Sequence, residues 1–114
     1  MIAVIRGTII EITLNRAIID VGGVGYEVIV APTSVSSLVA GSEITLYTSA
    51  VIREDSWTLY GFFEKSAKDL FVELQSVTGV GPKVAYSLIS AIPPNELINS
   101  IAIGENSQIG RAHV

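Results

Sequence analysis

Apolar residues recur along this chain in two rhythms, and the change of rhythm near residue 63 divides it. Up to about residue 62 they form short runs with partial alternation, punctuated by glycine. Ile2, Val4 and Ile5 open a strand that Gly7 is expected to interrupt, and Thr8 to Leu14 carries it on. Asn15-Arg16 reads as a turn, Ala17 to Val21 as a strand, and Gly22-Gly23 as a hairpin or bulge. Tyr26 to Val30 is a strand with Tyr26, Val28 and Val30 on one face and Glu27 and Ile29 on the other. Pro32 ends it. Thr33 to Leu38 fits one helical turn capped by Thr33, and Gly41-Ser42 turns the chain again. Glu43 to Ala50 and Thr58 to Phe62 are further strands. Short strands with glycine-marked bends predict a small closed barrel of OB type, with an SH3-like barrel as the structural alternative.

Beyond residue 63 the spacing becomes helical. Leu70, Phe71, Leu74 and Val77 predict a helix over Glu64 to Ser76, with Lys65 and Lys68 facing out. Val84, Ala85, Leu88 and Ile89 predict a second over Pro82 to Ala91. Pro93-Pro94 breaks it, and Asn95 can cap a third helix over Glu96 to Ile103, followed by the loop-like Gly104-Glu105-Asn106-Ser107. The predicted fold class is α+β: an OB barrel over residues 1–62 and a helical unit over residues 63–108.

Between the first two helices stands Gly79-Val80-Gly81-Pro82-Lys83. Pro82 suits a helix start, where its missing N–H would be unpaired anyway. Free N–H groups of the turn and the positive end of the second helix converge there, which suits a phosphate. The glycines lack side chains that would hold a phosphate off, and Lys83 adds a cation. Two readings fit: a helix-hairpin-helix that grips the DNA backbone, and a plain αα-hairpin with a glycine turn. A nucleotide loop does not fit, because no strand leads in and neither Ser nor Thr follows Lys83.

Arg53-Glu54-Asp55 falls in the turn between two strands. A charged triplet there is either a solvated hairpin tip or a pair of carboxylates that repels phosphates and so steers DNA strands. The net charge of −4 argues against a simple basic nucleic-acid binder. The charges are uneven, however, with Arg53, Lys65, Lys68 and Lys83 around the middle and Glu11, Asp20, Glu27 and Glu43 in the strand-rich half. There is no cysteine, no apolar run of the ~18–20 residues a membrane span needs, and no signal-peptide pattern at Met1 to Arg6, so a cytoplasmic location and no membrane partner are expected.

Four short marks stand in order: Gly22-Gly23-Val24-Gly25-Tyr26-Glu27-Val28, Arg53-Glu54-Asp55, Leu59-Tyr60-Gly61-Phe62 and Gly79-Val80-Gly81-Pro82-Lys83. With this spacing the chain resembles, over residues 1 to about 106, the RuvA family of bacterial Holliday-junction branch-migration subunits. The resemblance implies an OB-fold first domain, a helical second domain, and a homotetramer that holds an open four-way junction. It implies that Glu54 and Asp55 form an acidic pin at the tetramer centre, and that Gly79, Val80, Gly81, Pro82 and Lys83, with Arg53, bind DNA. It implies partnership with a RuvB-type ATPase and a RuvC-type resolvase, in recombination, repair and the SOS response. ATP is then the motor's cofactor; none is expected on this chain, and no intrinsic catalysis.

The chain departs from the family beyond the third predicted helix. A second glycine hairpin, a linker and a motor-binding domain are expected in relatives and are missing, so weaker junction binding and no motor coupling are expected. Ile109 to Val114 does not fit the family pattern. It matches what the codons ATC GGA AGA GCA CAC GTC encode, as in a common sequencing adapter, and is expected to be a non-native tail; a natural tail is the alternative. The rival to junction binding is a single-strand-binding OB module, which needs aromatics on the barrel face. Tyr26, Tyr47, Trp57 and Tyr60 exist but are expected in the core or in cross-strand pairs. An enzyme of glycosylase type lacks an Asp beyond Lys83, and a Ser-His-Asp site would need His113 in the suspect tail. The third reading is a purely structural oligomer subunit.

Overall fold

A computed structural model describes residues 1–92. The alternation of the first half becomes five strands: β1 (Val4–Ile12), β2 (Arg16–Val21), β3 (Val24–Ile29), β4 (Glu43–Ile52) and β5 (Trp57–Phe62). They close in the order β1-β2-β3-β5-β4, with β4 returning to β1. All pairings are antiparallel except β3 with β5, where Val28 meets Leu59 and Ile29 meets Tyr60. This is the OB-type barrel, closed where each strand has two neighbours.

Several local expectations shift. Gly7 does not interrupt its strand. β1 runs through it, pairing with β4 over Val4 to Thr8 and with β2 over Thr8 to Ile12. β1 passes from one neighbour to the other at Thr8, and a β-carbon on the adjacent Gly7 would overlap the carbonyl oxygen of Asp20. The register shift falls later, between Ile9 and Glu11. Arg16 opens β2 rather than lying in the turn, because its carbonyl accepts the Thr13 N–H at 2.8 Å. The helical turn is α1 (Pro32–Val35), capped by Ala31 with no side-chain bond, so Thr33 lies inside it and caps nothing.

Inside the barrel, Ile5, Ile9, Ala17, Ile19, Val28, Val30, Leu46 and Leu59 form one core. Thr48 is fully buried among them, and its hydroxyl donates to the Ile2 carbonyl at 2.8 Å, which satisfies the polar group.

A second core lies between the barrel wall and the helices. β5 alternates across its wall: Leu59 faces in, while Tyr60 and Phe62 face out. Against them pack α2 (Lys65–Leu74) and α3 (Pro82–Ser90) through Ala67, Phe71, Ala85, Tyr86 and Ile89. The rings of Tyr60 and Phe62 lie 5.0 and 5.1 Å from Phe71 and 5.1 and 5.2 Å from Tyr86. Such tilted and edge contacts add about 0.5–1.5 kcal/mol per pair beyond area burial. The Tyr86 hydroxyl sits 2.8 Å from the Gly61 carbonyl and 3.2 Å from that of Ile29, so the helix is bonded to two strands.

Both helices are shorter than the spacing implies. α2 stops at Leu74, because Ser76 and Val77 donate to Glu73 and Leu74 in tighter, three-residue turns, and the Ser76 hydroxyl also binds the Glu73 carbonyl. Lys65 is exposed but Lys68 is only half so. α3 buries Ala85, Tyr86 and Ile89, whereas Val84 and Leu88 are half exposed. The predicted third helix at Glu96 to Ile103 and the tail at Ile109 to Val114 lie outside the described residues. Among those described, no helix is long and apolar enough to cross a membrane.

Burial pushes the Tyr86 phenol well above its ordinary value, against a backbone hydrogen bond at Ala31 and with a smaller push from Tyr60. Unfolding returns it to about 10. Above that pH the unfolded chain releases a proton that the folded chain keeps. The contribution is therefore complete below about pH 10 and is lost as pH rises toward the folded value. Tyr86→Phe is expected to lower stability by about 1 kcal/mol at neutral pH through the lost hydrogen bond. It should also flatten the alkaline fall, leaving the smaller slope from Tyr60, which burial raises too. Urea denaturation at about pH 8 and about pH 11 checks both effects.

Candidate nucleic-acid interface

The turn between α2 and α3 is built by one residue that only glycine suits. Gly79 has φ +85, a left-handed conformation, which lets Val80 donate to the Val77 carbonyl at 3.0 Å and close the turn. Val80 is half-buried and packs on the second core. Gly81 caps α3 in extended conformation, Pro82 is the first helical residue, and Ala85 makes the first bond back to Gly81 at 3.0 Å. Among the described residues the N–H groups of Gly79, Gly81, Lys83 and Val84 have no backbone acceptor. Gly79, Gly81 and Lys83 are exposed, and no acidic residue lies in the first turn of α3. The five predicted residues therefore share one turn at the positive, N-terminal end of α3, with Gly79, Gly81 and Lys83 exposed.

The acidic pair occupies a different projection. β1 accompanies β4 only as far as Tyr47, with one further bond from Thr48 to the Ala3 carbonyl. β3 pairs with β5 only at Leu59 and Tyr60. Residues 51 to 58 consequently leave the barrel as a two-stranded ribbon, paired only with itself through Val51–Thr58 and Ile52–Trp57. Arg53 closes its end by donating to the Ser56 carbonyl at 2.8 Å. Glu54 and Asp55 lie at the tip, exposed, with no hydrogen bond or ion pair among the described residues.

Arg53 shares the strand parity of Val51 and Tyr47, which pack on the helix-facing core. Its charge is felt there: burial raises the Tyr60 phenol, and Arg53, then Arg16, pull it back. Arg16 is itself paired with Glu27 at 2.8 Å, and Lys65 with Asp69 at 2.9 Å; that hydrogen bond raises the Lys65 ammonium. Both pairs are exposed and contribute little to stability. Arg53, Lys68 and Lys83 form no ion pair among the described residues. The structure thus groups Arg53, Glu54 and Asp55 in one turn and Gly79 to Lys83 in another. No hydrogen bond or ion pair joins the two turns among the described residues. His113 lies outside the described residues, and among them no cluster of His, Asp and Glu could hold a metal.

One residue escapes the sequence reading, and a second meets it only in part. Tyr86 lies three positions before Ile89 on the packed face of α3, a spacing that extends the apolar stripe. Trp57 was expected in the core or in a cross-strand pair. It is paired, with Ile52, but is 64% exposed, because the ribbon has left the barrel at that point.

Residues 1–61 match the family described as RuvA N terminal domain. The chain is 42% identical over 111 residues to "Holliday junction branch migration complex subunit RuvA" of Mycolicibacterium smegmatis, covering 97% of this chain and 57% of that one. It is 43% identical to the protein of the same name from Bifidobacterium adolescentis, covering 98% and 55%, and 44% identical to that of Corynebacterium efficiens, covering 97% and 54%. The chain spans about half the length of these curated relatives.

The two hairpin glycines are expected to respond differently to alanine. Gly79→Ala places an L-residue at positive φ and should cost about 1 kcal/mol in urea denaturation. Gly81→Ala meets nothing within 4 Å and ordinary backbone angles, so it should cost about 0.5 kcal/mol or less. If a phosphate docks at this turn, the added β-carbon should lower DNA binding in a gel shift without matching loss of stability.

Proposed function

The chain belongs to the RuvA N-terminal domain family, and on that premise we propose that it grips a four-way DNA junction and holds it open for branch migration. The observation that carries this reading is the self-paired ribbon that lifts Glu54 and Asp55 clear of the barrel. A phosphate brought within about 4 Å of one carboxylate is repelled by roughly 1 kcal/mol in bulk water and about 4 at a protein surface. A homotetramer would bring four such tips near one axis, so strands entering the crossover would be turned outward rather than bound.

The arms would be held by the other turn. Gly79, Gly81, Lys83 and Val84 offer N–H donors at the positive end of α3, and Lys83 and Arg53 add charge. Contacts to backbone phosphates position DNA and carry no sequence code, which suits a subunit that must let any sequence pass. Local geometry then outweighs the net charge of −4. In this reading the motor is a separate RuvB-type ATPase that consumes the ATP, a RuvC-type resolvase is a further partner, and the work is done in the cytoplasm in recombination and repair. The single-strand-binding alternative loses support: Tyr60 is buried, Tyr26 and Tyr47 are half-buried, and Trp57 alone of the four is exposed, which leaves no aromatic platform along the barrel wall.

A competition gel shift between an immobile four-way junction and a linear duplex of equal length, at two salt concentrations, tests the proposal. The junction should win. Glu54→Gln with Asp55→Asn should erode that preference by strengthening duplex binding. Lys83→Ala should weaken both and reduce the logarithmic salt slope by about 1. Equal affinity of the unaltered chain for junction and duplex would overturn the junction reading.

A further inference from the structure

Trp57 is a large aromatic that folding does not use. The other bulky rings of β5 and the helices, Tyr60, Phe62, Phe71 and Tyr86, each lie within 6.0 Å of at least two of the others in the second core. Trp57 makes no ring contact among the described residues and is 64% exposed, and Ile52 across the ribbon is 60% exposed. Both continue rows that face the barrel interior lower down: Leu46, Thr48 and Ala50 before Ile52, and Leu59 and Gly61 after Trp57. Where β1 and β3 stop pairing, those rows emerge with no strand paired beside the ribbon among the described residues.

The surroundings select what can cover this pair. Residues 52 to 57 line one shallow, open recess of about 460 Å³, so the indole and the isoleucine share it with Glu54 and Asp55. Arg53 lines the same recess, but the two carboxylates outnumber it, so a phosphate meets a net negative charge there. The carboxylates do not repel a nucleobase, which is uncharged and presents a flat π face to an indole. A carboxylate also accepts hydrogen bonds from exocyclic amino groups, as cytosine N4 offers.

We infer that Trp57, with Ile52, is a seat for an unpaired nucleobase at the junction crossover, and that Glu54 and Asp55 keep the backbone out while accepting the base's amino group. The inference rests on the junction reading above and adds a second role to the ribbon: it not only parts the strands but holds a base that parting exposes. Bases carrying an exocyclic amino group are preferred over thymine. Stacking of one base on an aromatic side chain corresponds to roughly 5- to 150-fold in affinity.

Trp57 is the single tryptophan of the chain, so its emission reports on the seat directly. The whole chain is titrated with four fluorescently labelled DNAs: a fully paired junction, the same junction with unpaired cytosines at the crossover, the same with unpaired thymines, and a linear duplex. Anisotropy of the label follows binding while Trp57 emission follows stacking. The expected result is strongest quenching by the unpaired cytosines, less by thymines, and little by the duplex. Trp57→Ala should weaken binding of the cytosine junction by roughly 5-fold or more and leave duplex affinity unchanged, with Trp57→Phe between. Junction binding with unchanged Trp57 emission overturns the seat and leaves the junction reading standing. Absence of junction binding overturns both. Emission that is already buried without DNA and shifts on dilution, with a lower mass for Trp57→Ala in size exclusion, overturns the seat in favour of contact with a second copy.

Discussion

The placement of α2 and α3 depends on one interaction: the packing of Phe71 and Tyr86 onto Tyr60 and Phe62, closed by the Tyr86 hydroxyl on the Gly61 carbonyl. The barrel has its own aliphatic core and closes on itself. The two short helices have no such independence, since helices of this length are marginal in water without a partner surface. The aromatic wall of β5 supplies that surface, and the hydroxyl gives it direction: α3 can sit at only one height against β5 if its phenol is to meet those carbonyls. The position of the Gly79–Lys83 turn therefore follows from a contact made one turn further along α3, at Tyr86.

The barrel acts on function through its irregular edge. A closed barrel removes free edges only where each strand has two neighbours. β4 and β5 are longer than β1 and β3 can accompany, and their excess becomes a ribbon. The same alternation that buries Leu46 and Leu59 then exposes Ile52 and Trp57, a few residues further on. One strand period thus makes a core and, past the rim, an apolar surface beside two carboxylates.

Charge is arranged on the same principle of local isolation. Arg16 and Lys65 are tied to Glu27 and Asp69 in exposed pairs, whereas Lys83 stands in a helix start free of acids and Arg53 leans toward the helix-facing wall. On the proposed reading, an acidic chain holds an anion in one turn and repels it from another because screening confines each effect to roughly a Debye length.

Short-range order was legible from residue types alone. Period-two alternation, glycine turns, the Pro82 helix start and the Gly-Val-Gly hairpin each express a local constraint on backbone angles or side-chain direction, and the barrel and both helices followed from them. The charged turn at Arg53 to Asp55 was equally visible. What only the tertiary structure decided is where those local patterns lose or gain a neighbour. Gly7 looked like a strand break and is a close approach to Asp20. Tyr86 looked incidental and is the bond between helix and barrel. Trp57 carried the parity of a core residue and is exposed because two neighbouring strands stop short of it. Parity, spacing and turn chemistry are properties of the chain; which face finds a partner is a property of distant segments meeting, and no local pattern encodes it.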